Sequence, residues 1–109
     1  MTDVELTRAF EQGAIAGADF HHEQHLRVAW VYLAEQPTAE AATARMAAAL
    51  IRFTTRLGQL DKYSDDVTRF WIEQLAAARV AMPGATFEAV VAARPSLLDV
   101  RLGVPSRSA

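Results

Sequence analysis

The apolar residues between Pro37 and Gly58 are the feature that most restricts how this chain can fold. They recur mostly at intervals of three or four, as they do along one face of an α-helix. The residues of this stripe are Ala39, Ala42, Met46, Ala49, Leu50, Phe53 and Leu57. Pro37 ends the preceding helix, Thr38 is a suitable N-cap, and Gly58 can take the left-handed conformation that terminates a helix. The segment therefore predicts a long helix over 38–57 with one buried face.

The same spacing predicts further helices on either side of this one. Their bounds are about 2–13, 22–36, 64–82 and 86–93, followed by a single turn over 95–98. Suitable capping residues stand at their starts, namely Thr2 or Asp3, Asp19 or His21, Ser64 and Thr86. Gln74 falls in the middle of the apolar face of the fourth helix, where a buried amide would need partners. No strand-like alternation is found, so we expect an all-α fold, a compact bundle of four to five helices.

The length and composition of the chain indicate one helical domain over residues 1–109. Its first helix and connection occupy 1–20, and a frayed tail is expected over 99–109. The absence of cysteine excludes disulfides, cysteine-ligated zinc and a thiol nucleophile. The net charge of −2, with both signs interspersed, argues against a nucleic-acid partner. No segment reaches the ~18 apolar residues of a membrane span. We expect a cytoplasmic protein that binds neither nucleic acid nor membranes.

All three histidines of the chain lie in the segment 20–33. A step of 100° per residue places His22 inside the apolar stripe of the second helix, and it places His25 and Tyr32 together along one edge. This edge is predicted to form the rim of a pocket. The positive end of the helix dipole opposes an imidazolium ion, so we expect His22 and His25 to be neutral near pH 7 and available as bases or donors.

Several short segments follow one another in a characteristic order along the chain. They are Phe20-His21-His22-Glu23-Gln24-His25-Leu26, Ala29-Trp30, Tyr32-Leu33, Lys62-Tyr63, and then Thr68, Phe70 and Trp71. This arrangement resembles a family of small uncharacterised bacterial all-helical proteins with the pattern F-x-H-x-x-H-L, A-W-x-Y-L and K-Y-H-E-T-x-T. The resemblance covers about residues 20–98 and implies a helical fold without a settled activity. Ser64 stands where the pattern has a third histidine, and Asp65 and Asp66 replace the Glu and Thr that follow it.

The histidines also raise the question of a metal site. His21 with His25, or His22 with His25, would place two ring nitrogens on one helix face. Zinc sites in proteins use at least three protein ligands, so a third would have to come from Glu23, Asp65, Asp66 or elsewhere. The HExxH motif is absent because Leu26 stands where its second histidine would be. We therefore expect neither a metal nor another cofactor.

We predict a polar pocket where the N-termini of the second and fourth helices approach each other. Its expected lining is His22, His25, Tyr32, Tyr63, Asp66, Thr68 and Trp71, with Lys62 or Arg27 at the rim. The two histidines are the candidate catalytic residues, and the other residues are candidate substrate-binding residues. Two helix N-termini that face one cavity favour an anion, such as the carboxylate of a substrate.

Three functions remain open on these residues. The favoured one is a metal-independent tailoring enzyme or accessory protein, in which His22 or His25 exchanges a proton with a small molecule or modified peptide. Small helical proteins that cross-link lantibiotics are similar in size and helical character, although no motif is shared. The second is a binding module without turnover. The third is a homodimer or partner-interaction protein that uses the alanine-rich faces of the third and fourth helices.

The plainest interpretation assigns the histidines no function at all. His22 is then a core histidine whose ring bonds to a carbonyl or to Tyr63, and His25 is its half-exposed neighbour.

Overall fold

The computed structural model describes residues 1–103 of the chain. Within that range the chain forms five α-helices and no β-strand, which confirms the predicted all-α compact bundle. The helices are α1 (Asp3–Glu11), α2 (His22–Glu35), α3 (Ala39–Arg56), α4 (Asp65–Ala81) and α5 (Phe87–Ala93). Short 3-10 turns lie at Gly17–Asp19, Leu60–Lys62, Pro95–Leu98 and Val100–Gly103; the last is called the C-terminal turn below. None of these helices is both long and apolar enough to cross a membrane.

Side chains with a hydroxyl group begin four of the five helices. Thr2 Oγ1 accepts a hydrogen bond from the backbone N–H of Glu5 at 3.1 Å, and the Glu5 carboxylate accepts one from the N–H of Thr2 at 2.7 Å. Thr38, Ser64 and Thr86 cap α3, α4 and α5 with bonds of 3.0, 3.2 and 3.1 Å. Each cap satisfies an amide that the helix itself cannot bond, so these residues set where the helices begin.

Helix α2 lies at the centre of the bundle and packs against α1, α3 and α4. Three phenylalanine rings meet at its start. Phe10 and Phe20 stack with their ring centres 4.3 Å apart, and the Phe53 ring lies 5.1 Å from each. Phe20 immediately precedes His21, the N-cap of α2, so its burial fixes the place where α2 begins. The His25 ring, 4.4 Å from the Phe20 ring, is thereby held against this cluster.

Tyr32 was predicted to lie at the rim of a pocket, but it is fully buried against α1. Its hydroxyl donates to Glu11 at 2.7 Å, and Arg45 donates to the same carboxylate oxygen at 3.1 Å. Burial and the bond to this carboxylate raise the pKa of Tyr32. Tyr32 does share a helix edge with His25, but this does not bring the two side chains into one pocket, because seven residues separate them by roughly 10 Å along the helix axis. Tyr32 therefore joins three helices.

Arg27 is also a structural residue and not the predicted cation of a pocket rim. Its Nη1 donates to Asp3 at 3.0 Å and to Glu88 at 2.7 Å, and its Nε donates to Glu23 at 3.1 Å. The guanidinium carbon lies 4.6 Å from the centre of the Phe87 ring. Partial burial opposes the charge, but the three carboxylates outweigh it and raise the pKa of Arg27. The side chain links α1, α2 and α5.

The buried face of α4 is rotated relative to the predicted one. Its buried residues are Thr68, Trp71, Ile72, Leu75 and Ala78. Thr68 and Ile72 extend the face to one side, so Gln74 is exposed and does not lie at its centre. The same rotation brings Thr68 into the interior and leaves Asp66, two residues earlier, exposed.

The chain after α5 returns to α4, whereas we expected it to fray from residue 99. The C-terminal turn contacts α4, and a methyl group at Gly103 would overlap the indole of Trp71. The backbone of Gly103 therefore approaches the indole more closely than a larger residue would allow. The rest of the predicted tail, 104–109, lies outside the described residues.

Candidate functional site

A cavity of about 260 Å³ lies between α2, α3 and α4 and is partly open to solvent. We call it the α2–α4 cavity. Its polar lining consists of His22, His25, Thr54, Tyr63, Ser64 and Thr68. Its apolar walls are Leu26 and Ala29 of α2, Met46 and Leu50 of α3, Val67, Trp71 and Ile72 of α4, and Val100 of the C-terminal turn. The cavity therefore has mainly apolar walls with six polar side chains.

The structure brings five of the nine predicted site residues into this cavity and places four elsewhere. The five are His22, His25, Tyr63, Thr68 and Trp71. Besides Tyr32 and Arg27, the predicted placement is wrong for Lys62 and Asp66. Lys62 is exposed in the turn before α4, and Asp66 is exposed on the outer side of that helix.

Among the described residues, His25 is the polar side chain of the cavity that has no hydrogen-bond partner. Neither of its ring nitrogens makes a hydrogen bond within residues 1–103, and neither is sealed from solvent. Burial, with a smaller contribution from the neighbouring His22, lowers the pKa of His25 to about 4. The ring is therefore neutral at pH 7, with one N–H donor and one nitrogen lone pair.

His22, one turn earlier, is held in place by the end of the chain. Its Nε2 lies 2.9 Å from the carbonyl oxygen of Leu97, and its ring meets the Trp71 ring edge to face at 4.5 Å. A carbonyl oxygen only accepts, so Nε2 carries the proton and donates it. A bond to a carbonyl is what we expected if His22 is a core histidine without a function. It joins the start of α2 to the turn Pro95–Leu98.

The hydroxyl groups of the cavity are already engaged as donors or caps. Thr54 Oγ1 donates to the carbonyl of Leu50 at 2.8 Å, and Thr68 Oγ1 donates to the carbonyl of Ser64 at 2.9 Å. Ser64 Oγ accepts from a backbone amide of α4 as its N-cap. The Tyr63 hydroxyl donates to Asp65, and burial together with this bond raises the pKa of Tyr63 to about 12. The threonines retain lone pairs that can still accept.

No charged side chain from residues 1–103 lines the cavity. The N-termini of α2 and α4 do reach it, through His22 and Ser64. However, the expected rim cations are absent from it, since Arg27 is paired with three carboxylates and Lys62 faces solvent. An anion would enter a mainly apolar space without a counterion, which is unfavourable.

Sequence reasoning missed the contribution of α3 to the site. Met46, Leu50 and Thr54 follow one another at intervals of four, so they form one row on a helix surface. Met46 and Leu50 belong to the predicted apolar stripe, and Thr54 is their continuation toward the cavity. That spacing was the available signal, but only the packing of α3 against α2 shows where the row leads.

Among residues 1–103, no group of three or more His, Asp or Glu side chains is arranged to hold a metal ion. Comparison with protein-family profiles, with curated proteins and with solved structures finds no match to this chain. The bacterial family that the motif residues resemble therefore stays a prediction.

Proposed function

We propose that this protein binds a small, mainly apolar molecule in the α2–α4 cavity without converting it. The observation that carries the proposal is the cavity itself: apolar walls from three helices and, among them, the ring of His25, which has no hydrogen-bond partner within residues 1–103. Concave sites with apolar walls and a few polar groups are the usual form of small-molecule sites.

The size of the cavity limits the ligand. Its volume of about 260 Å³ is at the lower end of ordinary ligand sites, which span roughly 300–1,000 Å³. It still exceeds the roughly 150 Å³ of an apolar protein cavity that holds benzene. A one-ring or two-ring aromatic compound, or an aliphatic chain of similar volume, is therefore the expected size class.

The geometry supports binding better than proton transfer, the function that the sequence favoured. A general base is most effective when its pKa lies near the working pH, and the pKa of His25 is about 4. Within the described chain, no carboxylate or carbonyl orients the His25 ring, whereas catalytic imidazoles usually have such a partner. The Nε2 of His22 is already bonded to Leu97.

The experiment is a binding screen with four probes: toluene, indole, 2-naphthol and 1-octanol. Binding is measured by saturation-transfer NMR and by the rise in Tm, which a ligand of the native state produces. The variant Thr54→Phe places a ring into the cavity, and Thr55→Phe places one on the exposed side of the same helix. We expect at least one probe to bind wild type and Thr55→Phe but not Thr54→Phe.

Mass spectrometry of the recovered probe separates binding from catalysis. An unchanged probe supports a binding module, and a converted one supports the tailoring enzyme. If no probe binds wild type, or if Thr54→Phe binds as well as wild type, the cavity is not the site and the proposal fails.

A further inference from the structure

The charges around the α2–α4 cavity exclude one broad class of ligand. Its lining from residues 1–103 contains no Lys, Arg, Asp or Glu. A carboxylate, a phosphate or an ammonium group placed there would lose its hydration without gaining a counterion. The occupant is therefore uncharged.

The hydrogen bonds around the cavity indicate which polar group the ligand carries. The protons of Thr54, Thr68 and Tyr63 are donated to protein oxygens, and so is the Nε2 proton of His22. Within residues 1–103, what remains open is mainly acceptor capacity, on the threonine and tyrosine oxygens, on Nδ1 of His22 and on one nitrogen of His25, against two open donors, the Ser64 O–H and the His25 N–H. A ligand group that only accepts, such as a ketone or an ether oxygen, would leave most of this capacity unused.

The imidazole nitrogens are the strongest acceptors among these groups, and His25 is the histidine that is not already bonded to the protein within residues 1–103. Its ring is neutral and has no hydrogen-bond partner within the described chain. It packs against the Phe20 ring, with the two ring centres 4.4 Å apart. A neutral imidazole nitrogen accepts a hydrogen bond, and the N–H of the same ring donates one. A hydroxyl group suits this ring because it also both donates and accepts.

We infer that the ligand of the α2–α4 cavity is an uncharged phenol or alcohol whose hydroxyl hydrogen is donated to His25. This inference rests on the proposed function and makes it more specific. His25 is then the residue that sets specificity, and the apolar walls hold the rest of the ligand.

The test compares three one-ring probes of similar size: p-cresol, p-xylene and benzoate. Isothermal titration calorimetry at pH 7 measures the affinity of each for wild type, for His25→Leu and for His21→Leu. His21 is exposed at the N-cap of α2 and lines no part of the cavity, so it is the matched control. A hydrogen bond of ordinary net strength predicts that p-cresol binds roughly 3- to 10-fold tighter than p-xylene.

Benzoate should bind more weakly than either of the other probes. In His25→Leu, p-xylene should keep its affinity and p-cresol should lose its advantage, whereas His21→Leu should behave as wild type. A second measurement needs no variant: the ¹⁵N resonances of the His25 ring should shift on addition of p-cresol and not on addition of p-xylene.

The possible failures are distinguishable. The inference is overturned if p-cresol and p-xylene bind equally well, or if benzoate binds most tightly. It is also overturned if p-cresol keeps its advantage in His25→Leu, or if the ring resonances do not move. Each of these outcomes would still leave a cavity that binds small molecules. Failure of all three probes to bind would overturn this inference, and failure of the four screening probes as well would overturn the proposed function.

Discussion

The neutral state of His25 makes the stability of the fold depend on pH. The pKa of this ring is about 4 in the folded chain, whereas the ordinary histidine value of 6.5 applies once the chain is unfolded. Between these two values the unfolded state binds a proton that the native state does not bind. Lowering the pH therefore favours unfolding, and the stabilising contribution is present above pH 6.5 and lost as the pH falls toward 4.

The size of this effect follows from the two pKa values. A proton that binds about 2.5 pKa units more weakly in the native state corresponds to roughly 3 kcal/mol in full, at 1.36 kcal/mol per unit. At pH 5 the proton-binding factor, 1 + 10^(pKa − pH), is about 30 times larger for the unfolded state than for the native state. This corresponds to a loss of about 2 kcal/mol in the free energy of unfolding relative to pH 7. This is a large part of the roughly 5–15 kcal/mol by which single domains are stable.

The assay is urea unfolding, followed by tryptophan fluorescence, at pH 7, 6 and 5. Wild type should lose about 2 kcal/mol more than His25→Leu between pH 7 and pH 5, because the variant cannot bind the proton. His21→Leu should keep the wild-type dependence. Carboxylates titrate mostly below this range, and their contribution cancels in the comparison. Equal losses for wild type and His25→Leu would refute the reasoning.

Three further predictions concern residues that the structure assigns to the scaffold, all measured by urea unfolding at pH 7. Tyr32→Phe removes the hydroxyl that bonds to the partly buried Glu11, so we expect a loss of about 1–2 kcal/mol. Arg27→Ala removes the ion pairs that link α2 to α1 and α5 and uncovers the Phe87 ring, so we expect a loss of about 1–2 kcal/mol. Gly58→Ala places a methyl group with no atom of residues 1–103 within 4 Å, but at φ +70°, so backbone strain alone should cost about 1–2 kcal/mol.

Each of these predictions has a control. Tyr63→Phe removes a bond at an exposed site and should cost less than Tyr32→Phe. Arg52→Ala changes an exposed arginine of α3 and should be nearly neutral. A cost for Arg52→Ala as large as that for Arg27→Ala would contradict the role assigned to the three carboxylates. A neutral Gly58→Ala would show that the left-handed turn is not needed after α3.

Local features of the sequence were enough to predict the helices. The spacing of Met46, Leu50 and Phe53 and the cap at Thr38 belong to one continuous segment, so they act before any tertiary contact forms. The neutral state of His25 also agrees with the sequence-based expectation, although burial is its main cause in the structure and the helix dipole was the reason expected from the sequence.

The errors share one physical cause, which is that they depend on distances between helices. Helical phase placed Tyr32 beside His25, but phase says nothing about which neighbour covers each turn, and α1 covers Tyr32. The charge of Arg27 was visible in the sequence, whereas two of its three carboxylates lie on α1 and α5. Because these carboxylates already bind its guanidinium group, Arg27 is not free to bind a ligand.

The sequence by itself determined the all-α class, the positions of the helices and the presence of two histidines in the first turn of α2, because these depend on residues close together in the chain. The tertiary structure decided which of the two rings is bonded to the protein. His22 is engaged by the carbonyl of Leu97, 75 residues further on, and His25 has no partner within the described residues. Only the packing of α3, α4 and the C-terminal turn around α2 creates an uncharged cavity at that point, since no local pattern specifies contacts over such a separation.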